Sequence, residues 1–402
     1  MAYTSETKAL STPLLLLMAV AISATVANLY YNQPLLPAIG ESFGVGDGAI
    51  GLIPSASQLG YAFAILLISP LGDTMVRRSL ISYLSFVLTL ALLAVCLAPN
   101  FAVLIIASFA IGLGANITQQ LIPLGAALST KQTRGKTMGT LMTGLTIGIL
   151  LSRTISGSIA EYFGWRSVFF VAAVLAAIFG VMLRKSLPAH QPKLSLSYIA
   201  LIGSMFSLLK KHRLLRASAF TGALWFAAFN AMWATLAIHV VDAPFFFNIQ
   251  QAGMFGLVGL AGIFGAKLSG RLVDSVGPER LIAVALFLIA SSFTVLAFWG
   301  DSLIGLIVGI ILLDLGVFGA QIPNQVRFFS IDPDAQSRMN AVYMLGYYIA
   351  AATGSAAGVK VMSIWGWSGV TAFGFVLSAV AIAYHLFFAA KITSGEKLSR
   401  LK

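Results

Sequence analysis

The sequence predicts an all-α integral membrane protein of twelve transmembrane helices, arranged as two six-helix pseudo-repeats. Three observations carry that expectation. Of 402 residues, 58% are hydrophobic and only 9% charged, with a mean hydropathy of +0.92; a soluble domain carries about 25% charged residues. Apolar runs recur along the whole chain at the length needed to cross a bilayer, roughly 20 residues of helix for a core about 30 Å thick. The second half also repeats the first at a shift of 201 residues. This composition excludes soluble α/β and nucleic-acid-binding classes, despite a net charge of +12. The one cysteine, Cys96, lies in an apolar run, so no disulfide can form within the chain.

Taken in order, the expected spans are 13–38, 48–71, 79–98, 101–128, 137–162 and 166–184, then 216–241, 249–271, 280–299, 302–326, 338–363 and 367–390. Helices are required because lipid offers backbone groups no partners. The first run is too long, and too closely followed by others, to be a cleaved leader. Domains are therefore expected at 1–184 and 216–402, with 185–215 between them. That middle segment holds a sixteen-residue apolar stretch, LSLSYIALIGSMFSLL, with basic residues on both flanks. A thirteenth span would place one basic flank outside; a cytoplasmic linker with an interfacial helix keeps both inside.

Lysines and arginines set the orientation. Lys8, Arg77, Arg78, Lys131, Arg134, Lys136, the 184–216 segment, Arg271, Arg280, Arg327, Arg338 and the tail from Lys391 fall on one side, and the connections on the other side carry only Arg166. Both termini are expected to be cytoplasmic, as an even span count requires.

The repeat aligns Leu71 and Asp73 with Leu272 and Asp274, Gln120 with Gln321, Met138 with Met339 and Gly157 with Gly358. Parallel halves with a site between them are an architecture of secondary transporters. The loop SPLGDTMVRRSLI resembles the major facilitator superfamily signature G-x-L-a-D-r-x-G-r-k: Asp73, Arg77 and Arg78 match, while Ser69, Thr74 and Val76 depart. Its second copy, GRLVDSVGPERL, keeps Gly270, Leu272, Asp274 and Gly277. PLLPAIGESFGV and GWRSVFF resemble stretches of the twelve-span drug:proton antiporter branch. The resemblance implies a major facilitator fold around a central cavity, a small-molecule cargo, protons as co-substrate, a monomer, and a bacterial inner membrane. The compactness of the chain agrees with that location. No cofactor is implied, and no nucleotide-binding loop of the form G-x-x-x-x-G-K-[ST] occurs.

Physics gives the loop residues a role. Asp73 at a helix end, with Arg77 and Arg78 a turn later and Asp274 and Arg280 in the other half, can form a cytoplasmic charge cluster that latches the halves. Positive-inside charge alone would explain the arginines, though not the repeated aspartate.

Charges deep within spans are costly and default to functional candidates. Two stand out. Arg153 lies roughly 14 Å, and Asp314 roughly 18 Å, from the outer ends of spans five and ten at 1.5 Å per residue. Their opposite signs and compatible depths suggest that they interact, directly or through water, in at least one state. Arg153 could instead cap a backbone break, and Asp314 could pair locally. Arginine keeps its proton, so Asp314 is the candidate proton carrier; loss of water favours its acid form and an approaching cation favours the carboxylate.

The resemblance also marks departures. The branch's span-five motif G-x-x-x-G-P-x-x-G-G corresponds here to Gly148, Ser152-Arg153 and Ser156-Gly157, so Arg153 stands at the proline position. Its span-four arginine position is Ser108, and span one carries amides where an acid is often found.

Other polar and aromatic residues fall on helical stripes. They are Asn28, Tyr31 and Asn32; Gln58 and Tyr61; Asn116 and Gln120; Asn230 and Trp233; Gln321; and Tyr343 and Tyr347. Such stripes suit the lining of a cavity for a small amphipathic molecule, or polar packing between helices. The leading expectation is proton-coupled efflux of a small organic compound. The alternative is an uptake symporter or uniporter for an organic anion held by Arg153. No clustered nucleophile, acid and base support an enzyme.

Overall fold

A computed structural model describes residues 10–130, 132–189, 198–332 and 335–399, with no side-chain description for Asp47 or for 389–399. Lys8, Lys131, residues 190–197 of the middle segment and residues 400–402, which entered the arguments above, lie outside the described residues.

Among the described residues the chain is built of helices and connecting turns; ten helical runs are long and apolar enough to cross a membrane, and with the shorter Thr12–Ala27 and the last run counted as two they make twelve spans. Span one is composite. Thr12–Ala27 is followed by a non-helical stretch, a short 3-10 turn at Gln33–Leu35, and Leu36–Phe43. The break has a local cause: Pro34 and Pro37 cannot donate backbone hydrogen bonds. The Asn28 amide, meanwhile, donates to the carbonyls of Ala24 and Thr25 at 2.9 and 3.1 Å. Spans two and three are Gly48–Asp73 and Arg77–Cys96, and span four is Phe101–Ala127. Spans five and six, Arg134–Phe163 and Trp165–Ser186, are joined at Gly164, whose φ of +77° favours glycine.

The helix Tyr198–Lys211 then precedes span seven, Arg213–Val241. Spans eight, nine and ten are Ile249–Val276, Pro278–Trp299 and Leu303–Phe329. The final helical run, Gln336–Ser399, is two spans, because Gly366 at φ +63° turns the chain back between 336–365 and 367–399.

The two halves meet along two pairs of spans. Span two packs on span eleven, where the Ser55 hydroxyl donates to the Ala352 carbonyl at 2.7 Å. Span five packs on span eight, where the Thr154 hydroxyl donates to the Gly253 carbonyl at 3.0 Å. Glycine is required at the second contact: a Cβ on Gly253 would lie 2.6 Å from the Arg153 carbonyl oxygen. Both contacts lie toward the end of the bundle away from the arginine-rich loops. That far end is shut, and the spans part toward the basic end.

Candidate functional site

The basic end opens into a vestibule with about 140 Å³ of room for water-sized molecules. Ser69, Asp73, Arg77, Gln119 and Gln120 border it from the first half, and Gln321, Gln325, Ser337, Arg338 and Asn340 from the second. Leu201 and Met205 of the helix Tyr198–Lys211 form one wall. That helix is tied to the first half by the Tyr198 hydroxyl, which donates to the Leu67 carbonyl at 2.6 Å. Of the twelve residues expected to line a cavity, Gln120 and Gln321 border this one.

The other expected lining residues are packed away in this conformation. Asn28 faces a crevice against spans three, four and six rather than the bundle axis. Asn116 accepts from Gln120 at 3.0 Å and donates to Ser69 at 2.9 Å. Tyr61 accepts from Gln119 at 3.0 Å and meets Tyr348 edge-on, with centroids 4.4 Å apart. Tyr347 stacks on Phe226 at 3.6 Å, and Tyr343 leans on Tyr347. Tyr31, Asn32, Gln58 and Asn230 are buried. Tyr61, Phe226, Tyr347 and Tyr348 thus form an aromatic slab. Tyr61, Tyr347 and Tyr348 lie about one helical turn along their spans from Ile65 and Met344 of the vestibule lining.

Beyond the slab lie the two deep charges. Arg153 is 1% exposed and Asp314 is fully buried. The Arg153 Nε donates to the Gln33 side-chain oxygen at 2.6 Å, and Nη1 donates to the Ile149 carbonyl at 3.0 Å. Its guanidinium carbon sits 3.9 Å from the centre of the Trp233 ring, with Tyr30 and Phe229 at 5.2 and 5.9 Å. A cation over indole is attracted by the ring's negative face, most strongly away from water. Asp314 approaches the same indole at its rim. Positions around the Gly259 α-carbon place Asp314 Oδ1 and Trp233 Cζ2 each 3.3 Å from where a Cβ would stand. Arg153 and Asp314 are within electrostatic range, yet no ion pair closer than 4.0 Å joins them. The Trp233 indole meets both, with its face against the cation and its rim toward the acid. Space beside Arg153 is about 10 Å³, room for one water.

At the basic end, Asp73 is bound by Arg77 of its own half at 2.7 Å, and Arg77 also donates to the Gly72 carbonyl. Arg78 is half-buried beside them, while Asp274 and Arg280 are exposed. The first half therefore holds its loop charges locally in this conformation.

Two groups escaped the sequence reading. Gln33 orients Arg153; its only sequence signal is its place before Pro34, at the break in span one. Arg327, read as a marker of the basic end, is 4% exposed and clamps four spans of the second half. Its nitrogens donate to Ser218 Oγ, Asn324 Oδ1 and Glu279 Oε2 at 3.0, 2.8 and 3.0 Å, with His385 Nδ1 at 3.4 Å. The i, i+3 spacing of Asn324 and Arg327 was the available signal. Arg327→Leu is expected to lower stability by about 2 kcal/mol, less than for a fully buried pair because Glu279 is one-third exposed. Thermal unfolding of the purified protein measures it, and an unchanged midpoint would count against the clamp.

Two related six-span halves, shut at one end and enclosing opposite charges at mid-depth, define a multi-pass membrane protein built for passage of a solute. The family model described as Major Facilitator Superfamily matches residues 16–331, and the chain belongs to that superfamily. It is 37% identical to the uncharacterized transporter YgaY of Escherichia coli O157:H7, over 92% of this chain and 94% of that one. It is 26% identical to the multi-drug resistance efflux pump PmrA of Streptococcus pneumoniae serotype 4, over 90% and 92%. The fold superposes with a TM-score of 0.75 on a bacterial homolog of the human lysosomal transporter Spinster in its inward-facing, occupied conformation. That match has 14% identity and covers 94% of this chain and 97% of that one. The protein is a transporter rather than an enzyme.

Proposed function

We propose that this transporter exports a small organic compound in exchange for protons, by alternating access between its two halves. The carrying observation is Asp314: a fully buried carboxyl with no ion-pair partner within 4.0 Å, set against the Trp233 indole and close to a cation that cannot release its proton. Movement of Arg153 toward or away from Asp314 would change how firmly Asp314 holds a proton, and the same movement would accompany the rocking of span five against span ten. The likeness to a multidrug efflux pump supports export. The reading places the chain, as a monomer, in a bacterial inner membrane with both termini cytoplasmic. The vestibule is then the inward opening. Asp73, Arg77 and Arg78 with Asp274 and Arg280 are the charges that would meet when it shuts.

Proteoliposomes with an imposed pH gradient test the coupling. Cargo is expected to accumulate in the acidic compartment. Equal flux with and without the gradient would establish uniport, and accumulation in the alkaline compartment would establish symport. Both of these outcomes agree with the alternative reading, an uptake symporter or uniporter for an organic anion. That reading is favoured by one observation, the Arg153 Nη2 group, which is buried without a partner.

A further inference from the structure

We propose that the Arg153–Trp233–Asp314 assembly recognises a zwitterion, an amino-acid-like molecule whose carboxylate meets Arg153 and whose ammonium meets Asp314. The inference rests on the transporter reading above and names the cargo of the same site.

The starting point is what the two charges leave undone. A structural ion pair closes to hydrogen-bond distance and satisfies its own donors and acceptors, since otherwise the cost of burial is not recovered. This pair does neither. Trp233 touches both partners, with the guanidinium 3.9 Å from the ring centre and the carboxyl at the rim, and no ion pair closes between them. Arg153 Nη2 remains without a hydrogen bond, and the Asp314 carboxyl has the Trp233 indole as its polar neighbour. Each charge therefore keeps capacity for an outside partner.

Charge then selects the cargo class. A monoanion satisfies Arg153 and sets a second negative charge near Asp314. A monocation satisfies Asp314 and sets a second positive charge near Arg153. A neutral molecule leaves both charges desolvated and unpaired. A zwitterion completes both ends and leaves the net charge of the site unchanged. The surroundings suit an apolar body: Leu150 and the Trp233 ring edge pack at Gly259 beside Asp314, and Phe229 lies 5.9 Å from the guanidinium. With room for one water beside Arg153, the site is contracted in this conformation. The slab of Tyr61, Phe226, Tyr347 and Tyr348 must part for cargo to reach it from the vestibule.

The test is ligand binding to the purified full-length protein in nanodiscs, read by calorimetry, with no pH gradient present. The probes are L-alanine, L-leucine, L-phenylalanine and glycine betaine. Each α-amino acid is accompanied by its N-acetyl derivative, which keeps only the negative charge, and its methyl ester, which keeps only the positive one. At least one zwitterion is expected to bind at least about tenfold more tightly than both of its derivatives, which is 1.4 kcal/mol. The variants should invert that order in opposite directions. Asp314→Asn should favour the N-acetyl derivative and Arg153→Gln the ester, a switch that a merely structural role would not produce. An N-acetyl derivative binding as tightly as its parent would overturn the proposal in favour of an anion site. An ester doing so would indicate a cation site, and no binding by any zwitterion would also overturn it. Gradient-driven transport of a monoanion would keep the antiport reading and refute this one. Zwitterion binding with gradient-independent flux would do the reverse.

Discussion

A disulfide between positions 48 and 363 is expected to abolish transport, and reductant to restore it. The two positions face each other at the shut end. A Cβ on Gly48 would stand 3.1 Å from the Ser363 hydroxyl oxygen, with Lys360 beside it. With a cysteine sulfur standing where that oxygen is, the gap leaves room for the second sulfur of an S–S bond of about 2.04 Å. Cys96 is the chain's one cysteine, so Gly48→Cys with Ser363→Cys in a Cys96→Ser background gives a single possible pair. The bond would join span two to span eleven, the same spans that the Ser55–Ala352 hydrogen bond ties deeper in the bundle. If passage requires this end to open, oxidised protein in liposomes should carry cargo at under about one-hundredth of the reduced rate, a barrier change of about 2.7 kcal/mol. Full transport by the oxidised protein would show that cargo does not leave between these spans.

Asp314→Asn is expected to separate cargo movement from the proton gradient. The amide keeps the size of the side chain and cannot carry a proton. Gradient-driven accumulation should fall by about two orders of magnitude, as expected for an ionisable group placed deliberately inside the membrane. Exchange of labelled for unlabelled cargo, which needs no net proton movement, should survive when assayed with cargo on both sides. The variant should also fold normally, because the amide oxygen can still accept from the Trp233 indole and a buried charge is removed. Accumulation at the wild-type level would remove Asp314 from the coupling step.

Much of the fold was legible in the sequence because lipid allows few solutions. Spans show as apolar runs, and the second half announces itself through Asp274, Gln321, Met339 and Gly358 at a fixed offset. The deep charges were legible for the same reason, since Arg153 and Asp314 are anomalies against an apolar background. What surrounds them was less so. A helical stripe identifies which residues share a face, but not whether that face meets a cavity or another helix. Tyr61, Tyr343 and Tyr347 share faces as expected and are used for packing in this conformation, whereas Gln119 and Gln325, not singled out although they lie three and four residues beyond Asn116 and Gln321, border the vestibule. Trp233 was placed among the lining residues, but its contact with both cation and acid depends on how span seven crosses spans five and ten. No spacing within one helix encodes that crossing. Gln33 was hidden because the break at Pro34 rotates it out of the register that an unbroken span one would have.

The internal duplication has a consequence for the geometry of recognition. Shifted by 201 residues, Arg153 falls on Gly354 and Asp314 on Leu113. Each charge is thus an addition to one copy of a shared scaffold. Gly354 has no space for an arginine, since a Cβ there would lie 2.3 Å from the Ala227 carbonyl oxygen. The frame is nearly two-fold symmetric, but its contents are not. A guest molecule therefore has one preferred heading between the halves, and turning it end for end would set like charge against like. Two copies of either half, assembled without the other, would reproduce the cage and lose the poles.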